Sequence, residues 1–174
     1  MIEINRGALT PLYVPDFIAT SITAIDFKKL KKRGIKYIAF DADHTLVPYR
    51  GIELSKDTDT YLRKQRDLFE GWCIASNRVT NDLDGIADAL NARVIRATLL
   101  HRKPGKQFYK RVLKHFDARP HEIAMIGDKV LADVWGGNRA GLVTVWVEHL
   151  GKDGPLDRLV RLRKIEKKLL KQYL

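Results

Sequence analysis

The sequence predicts an α/β fold with a mainly parallel, five-stranded sheet, formed as a single domain over residues 1–174. Three observations lead there. Five short apolar runs, at 35–40, 72–75, 92–95, 123–126 and 142–147, alternate with stretches of helical spacing, as repeated βα units do. The runs are continuously apolar, as strands buried on both faces are. No internal repeat, long insertion or Ser/Gly-rich linker divides the chain.

Residues 1–34 form a basic segment whose opening, with Pro11 and Pro15, reads as irregular or briefly helical. Asp26 is placed to cap a short helix from Phe27 to Arg33, closed by Gly34. The first strand, Ile35 to Phe40, opens a core of about 35–147. Ser55 caps a helix reaching Leu68, with Tyr61, Leu62, Gln65 and Leu68 along one face. After the second strand, a helix from about Asn81 to Leu90 carries Leu83, Ile86, Ala87 and Leu90 at helical spacing. The third strand, 92–95, precedes a helix that Pro104 opens and Phe116 ends, whose Phe108, Val112 and Phe116 stripe reads as core. The fourth strand runs into Gly127-Asp128, then a helix through Val130, Leu131, Val134 and Trp135 to Gly136 and Gly137, which suit close backbone packing. The Val-rich run Leu142–Val147 is the fifth strand. A basic amphipathic helix over about 155–174 closes the chain. Its apolar stripe is Leu156, Leu159, Leu162, Ile165, Leu169 and Tyr173, set among Arg158, Arg161, Arg163, Lys164, Lys167, Lys168 and Lys171.

With 45% hydrophobic and 30% charged residues, the composition excludes a disordered chain. The net charge is +11, and eight of those excess charges lie at the two ends. Residues 1–36 and 153–174 each hold seven Lys/Arg against three Asp/Glu. Such a surface favours anionic partners; the charges of the basic terminal helix suit an anionic membrane surface, while its apolar stripe suits packing on the domain itself or on another subunit. Nucleic acid is disfavoured, because the basic runs lack interleaved aromatics for base stacking. Cys73 is the single cysteine, so no intrachain disulfide forms, and its apolar neighbours point to a buried thiol in a reducing compartment. No apolar run approaches the roughly 20 residues that span a bilayer, and a secretory pattern is lacking. The expectation is a cytoplasmic protein, at most peripheral on the inner face of a membrane.

The informative residues stand at the ends of successive apolar runs. Asp41 and Asp43 follow the first, and Ser76 and Asn77 the second. Arg102-Lys103-Pro104 opens the helix after the third, and Asp128 and Asp133 follow the fourth. Singly, each has an ordinary explanation as a turn residue or helix cap. In a parallel sheet, however, all converge on one edge, where open α/β sheets bind ligands. Carboxylates gathered there repel one another unless a cation sits among them, and oxygen ligands of this kind suit Mg²⁺ sharing its shell with a phosphate. Ser76 can hydrogen-bond a phosphoryl oxygen, Lys103 can offset its charge, and a carboxylate can act as nucleophile through an aspartyl-phosphate.

The series Asp41-Ala-Asp43-His-Thr45, then Ser76, then Lys103, then Gly127-Asp128-Lys-Val-Leu-Ala-Asp133, resembles the four motifs of the haloacid-dehalogenase (HAD) superfamily in order, residue type and spacing. The resemblance implies a Rossmann-like three-layer sandwich and Mg²⁺-dependent phosphoryl transfer. By it Asp41 is the nucleophile, and Asp43 is the acid and base, with its backbone carbonyl on the metal. Thr45 orients the first motif's loop, Ser76 holds the phosphoryl group and Lys103 neutralises it. Asp128 ligates the metal and Asp133 supports it. The implied phosphate-binding set is Thr45, Ser76, Asn77 and Lys103, and the implied metal set Asp41, Asp43, Asp128 and Asp133. His44 departs from the Gly or Asn of many members. A position needing φ > 0 accommodates it, since His is among the residues enriched there.

The short spans between Thr45 and Ser76 and between Asn77 and Lys103 leave no room for a cap domain. That resembles the capless subclass IIIA, with an open site. Gly127 to Gly141, with Arg102-Lys103-Pro104, looks like the branch containing phosphatidylglycerophosphate phosphatases, which implies an anionic lipid substrate. Two alternatives stand beside it. One is a capless phosphatase for a nucleic-acid end or a soluble metabolite, and the other is a non-catalytic basic binding domain.

Overall fold

The computed structural model describes residues 1–80, 82–152 and 162–171. Its sheet has seven strands: β1 (Ile2–Glu3), β2 (Phe17–Ala19), β3 (Tyr37–Phe40), β4 (Gly71–Ser76), β5 (Arg93–Arg96), β6 (Ile123–Gly127) and β7 (Val143–Val147). They lie in the order β1-β2-β7-β6-β3-β4-β5, parallel throughout except for β1 against β2. The five expected strands are all present. The sheet is larger than expected because the first segment, read as irregular or briefly helical, adds two more. Phe17, Ile18 and Ala19 pair with Val145, Trp146 and Val147. Three residues are too few to show a period, so nothing local marks them. What seats them is distant: the Asp16 carboxylate accepts from Thr144 N at 2.8 Å, and Asn138 donates to the carbonyls of Leu12 and Val14.

Alternation along the central strands builds a layer on each face. Ile38 and Phe40, Trp72 and Ile74, and Ala124 and Ile126 join one core cluster with residues of α1 (Phe27–Lys32), α2 (Lys56–Gln65) and α3 (Asp84–Ala89). Ala39, Cys73, Ala75 and Met125 face the other way, against Phe108, Tyr109 and Val112 of α4 (Lys106–Phe116). Small sheet residues there leave space for the large side chains of α4. Cys73 is fully buried, which pushes its thiol pKa up and keeps it inert. Asp26 and Ser55 cap α1 and α2 as expected. Phe116 is less buried than its stripe suggests and stacks on Tyr37 at 4.7 Å.

The segment after β6 is wound more widely than a regular helix. Val130–Trp135 forms a π-helical turn that continues into α5 (Gly136–Arg139). A methyl group on Gly136 would lie 2.6 Å from the Tyr109 ring, and one on Gly137 2.8 Å from Thr144. Close packing is therefore what these glycines permit.

The last described helix, α6 (Leu162–Leu170), corrects the terminal stripe. Leu156, Leu159 and Tyr173, with Arg158 and Arg161, lie outside the described residues. Ile165 and Leu169 are 56% and 39% exposed, whereas Glu166 and Leu170 are buried. Leu170 packs with Ile18, Val130, Val134 and Trp146. The docked face is rotated from the stripe because a carboxylate, Glu166, turns inward to accept from Leu131 N at 3.4 Å. No helix among the described residues is long and apolar enough to cross a membrane.

Candidate active site

Register brings the candidate residues together. Phe40 pairs with Ile74 on one side and Ile126 on the other, so β3, β4 and β6 end side by side. Asp41 N donates to the Ile126 carbonyl at 2.8 Å, which continues the ladder one residue beyond the strand. The chain then folds back on itself, with Leu46 N and Val47 N both donating to the Ala42 carbonyl. His44 makes this turn at φ 64°, the left-handed conformation expected of its position.

At the centre is a buried ammonium. Lys103 Nζ donates to Asp41 Oδ1 at 2.7 Å and to Asp133 Oδ1 at 2.6 Å. Asn77 seats it, since its Nδ2 donates to the Lys103 carbonyl at 3.0 Å and its Oδ1 accepts from Lys103 N at 2.8 Å. Asp41, Asp128 and Asp133 each offer a carboxylate oxygen within 4.8 Å of the others. Asp133 Oδ2 accepts from Lys129 N at 3.1 Å. A methyl group on Gly127 would lie 2.3 Å from that same oxygen, so only glycine lets Asp133 come this close. Thr45 Oγ1 donates to Asp128 Oδ1 at 3.4 Å, and His149 Nδ1 lies 2.6 Å from Asp128 Oδ2. Ser76 is buried at the end of β4, its Oγ accepting from Arg78 N at 3.1 Å.

Asp43 alone turns away. Its carboxylate is forked by Arg78, with Nε 3.2 Å from Oδ2 and Nη2 on Oδ1, while Arg50 N donates to Oδ1 at 2.7 Å. It borders a surface cavity of about 390 Å³ at the strand ends. A larger hollow of about 630 Å³ lies between α2 and α3 and is lined by none of the candidate site residues. The smaller one matters for chemistry because Asp43 and Asn77 line it.

A family model for HAD-hydrolase-like proteins matches residues 100–160. The chain is 29% identical over 168 residues to phosphatidylglycerophosphate phosphatase 1, chloroplastic/mitochondrial, of Arabidopsis thaliana, covering 92% of this chain and 48% of that protein. It is 30% identical to the protein named phosphatidylglycerophosphate phosphatase 1, chloroplastic, of Chlamydomonas reinhardtii, covering 92% of this chain and 62% of that one. Against the probable phosphatase YqeG of Bacillus subtilis (strain 168) it is 27% identical, with 93% and 92% covered. The chain thus spans about half to three-fifths of the two algal and plant relatives and nearly all of the bacterial one. The crystal structure of an uncharacterized protein from Listeria monocytogenes serotype 4b has the same fold at TM-score 0.56 and 20% identity, over 75% of this chain and 99% of that chain. The chain belongs to the haloacid-dehalogenase superfamily. Within it, the chain falls in the branch of the phosphatidylglycerophosphate phosphatase-named relatives.

The HAD motif residues sit in an electrostatically tense group. Burial, with repulsion from Asp133 and Asp43, outweighs Lys103 and raises the Asp41 pKa to about 6. Burial and the nearby Asp41 raise Asp128 to about 7, and Asp133 is raised mainly by burial. Burial works against the Lys103 charge, yet Asp133 and Asp41 more than offset it and raise its pKa. One lysine does not compensate three buried acids.

Three residues in contact with the HAD motifs escape sequence reasoning. Arg78 is one basic residue among 32 Lys/Arg, and nothing in its neighbourhood singles it out. His149 lies beyond the last motif, and its ring stacks on His44 at 3.7 Å. Glu166 sits in a helix read as a basic surface. Asn138 and Arg139, which by sequence could face the site or merely finish a helix, are both engaged elsewhere. Asn138 ties down residues 12–14, and Arg139 lies over Trp135 at 4.7 Å.

Proposed function

We propose that the chain is a phosphoric monoester hydrolase that works through an aspartyl-phosphate on Asp41. Mg²⁺ is its metal and phosphatidylglycerophosphate its substrate, with phosphatidylglycerol as product. The observation that carries this is the buried group of Asp41, Asp128 and Asp133 around the Lys103 ammonium, at the carboxyl edge of a mainly parallel sheet.

The donor set fits the metal. Three hard carboxylate oxygens lie within 4.8 Å, and Mg²⁺ binds through few carboxylates while keeping waters and substrate phosphate. Asp41 and Asp128 hold it, Asp133 supports it, and Asp43 contributes only its backbone carbonyl. Bound there, Mg²⁺ supplies the positive charge that lets these acids stay ionised beside a phosphate.

An Asp41 oxygen attacks phosphorus. The bond from phosphorus to the alcohol oxygen breaks, its electron pair stays on that oxygen, and Asp43 gives that oxygen a proton. Water then attacks the phosphorus of the aspartyl-phosphate and passes a proton to Asp43, and cleavage of the bond to Asp41 releases inorganic phosphate. Lys103 offsets charge on the phosphoryl oxygens. Ser76 Oγ, already an acceptor for Arg78 N, has its own hydrogen to donate to one of them. Thr45 steadies Asp128, and Asn77 acts through Lys103.

The lipid part has two supports. Relatives over most of this chain are named for that lipid. In addition, the segments that follow β3, β4, β5, β6 and β7 carry Ile52, Val79, Leu99, Leu131 and Leu150, each between 42% and 101% exposed. Scattered exposed apolar residues are ordinary, but one in the segment after each of five strands supports a contact surface there. With the exposed Lys164 and Lys168 of α6 and Lys171 just after it, it suits the anionic inner face of a membrane, where the protein works from the cytoplasm as a peripheral enzyme.

With Mg²⁺, purified protein is expected to release phosphate from phosphatidylglycerophosphate in mixed micelles, and Asp41→Asn to lower kcat by about 10³-fold or more. Turnover confined to soluble esters would replace the lipid by a soluble alcohol. Full activity in Asp41→Asn would remove Asp41 as nucleophile.

A further inference from the structure

Three arginines line the cavity beside Asp43. Arg50 and Arg102 are exposed at its mouth, and Arg78 is inside with only 7% of its side chain exposed. Two acids share that wall, Asp43 and Asp82. Arg78 serves both, forking Asp43 and placing Nη1 3.4 Å from Asp82 Oδ1, with the Gly51 carbonyl accepting from Nη1 at 3.0 Å. Arg50 and Arg102 have no carboxylate partner among the described residues. The cavity therefore carries more positive charge than its own acids offset.

Its position is as telling as its charge. Asp43 is the residue read above as donating the proton to the leaving alcohol, so whatever occupies this cavity is the leaving group. Yet both Asp43 oxygens are already taken, Oδ2 by Arg78 Nε and Oδ1 by Arg78 Nη2 and Arg50 N. In this arrangement Asp43 has no oxygen turned to a substrate.

We propose that this cavity is a subsite for a second anionic group carried by the leaving alcohol, and that binding of this group draws the Arg78 fork off Asp43. A planar guanidinium moves readily between a carboxylate and a phosphate, because both match its paired donors. The second anion, held by Arg78, Arg50 and Arg102, replaces Asp43 as the fork's partner, and the released side chain, with a proton taken from solvent, turns to the alcohol oxygen to donate it. The substrates selected are phosphate monoesters whose alcohol bears a nearby phosphodiester or carboxylate. Esters of neutral alcohols bind without releasing the acid. This inference rests on the phosphatase reading and adds to it the class of leaving group.

The test compares kcat/KM, with Mg²⁺, for glycerol 3-phosphate, whose alcohol is neutral, and for glycerophosphoglycerol phosphate, whose alcohol carries a phosphodiester. The wild type is expected to prefer the second by about 100-fold, mainly in kcat, because the second anion completes the acid as well as the binding. Arg78→Gln and Arg102→Ala are each expected to reduce that preference at least about tenfold, with Arg78→Lys intermediate because it keeps the charge without the fork. If Arg78→Gln fails to fold, the exposed Arg102 carries the comparison. Equal efficiency on the two esters in the wild type, or a preference unchanged in the variants, overturns the subsite alone. No hydrolysis of either ester, nor of the intact lipid in micelles, overturns the phosphatase reading and the subsite with it. Among positive results, faster turnover of the intact lipid than of its deacylated form assigns the second anion to a membrane lipid, and the reverse order to a soluble ester.

Discussion

Asn77 shows what a single residue type hides. By sequence it stands beside Ser76 and belongs with the phosphate-binding residues, and nothing in an Asn side chain says which partner it takes. In the fold both ends of its amide are occupied by the backbone of Lys103, 26 positions away. Its effect on a phosphate therefore passes through the lysine. Asn77→Ala is expected to cost about 1–2 kcal/mol of stability for two lost hydrogen bonds, and to lower kcat by about tenfold on every ester alike. Chemical denaturation and steady-state kinetics check both. A change confined to KM would return Asn77 to direct phosphate contact. The acids, by contrast, are legible as a set, because they stand at the ends of successive apolar runs. Arg78 is not, since its role depends on Asp43, which is 35 residues distant.

At the scale of elements, a continuous apolar run identified each central strand to within about two residues, because burial on both faces leaves no room for polar side chains. Short or edge elements follow partners instead of their own pattern. β2 exists because β7 offers an unpaired edge, and the π-helical turn 130–135 because Asp133 must reach back over Gly127. The terminal helix α6 follows the same logic. Periodicity assigns Ile165 and Leu169 to its inner face, whereas Leu170 is fully buried beside Val130 and Val134, on the turn that carries Asp133. Leu170→Ala is accordingly expected to cost about 2–4 kcal/mol, as a buried leucine does, and Ile165→Ala about 0.5 kcal/mol or less. Thermal melts of the two variants decide which face is docked. A larger loss at Ile165 would restore the face that periodicity predicts.

Over the whole molecule, the site stores electrostatic tension that pH and metal should release in opposite ways. Asp41, Asp128 and Glu166 hold protons in the fold up to about 6, 7 and 7, burial being the first cause for each. In the unfolded chain, carboxyls have released theirs by about pH 5. Between those limits these three acids bind more protons in the folded state than in the unfolded one, against the single His115, whose pKa burial lowers, so stability falls as pH rises through the window, and the loss is complete above the folded values. Other acids work outside this range. Glu122, held to about 2 by Arg119 and Lys36, is ionised throughout it, and the easing of repulsion in a chain of net charge +11 as surface acids ionise is finished near its lower limit. A divalent cation among Asp41, Asp128 and Asp133 reverses the preference by favouring their ionised forms, and binding to the folded state alone adds stability by mass action. In chelator, Tm is thus expected to fall by about 3 °C or more from about pH 5 to about pH 8, the shift that roughly 1 kcal/mol produces at this size. Millimolar Mg²⁺ should recover the loss at the alkaline end and change little at the acid end, where the ion competes with bound protons. Equal stabilisation at both ends would place the cation away from these acids, and a Tm independent of pH without metal would mean that Lys103 compensates them unaided.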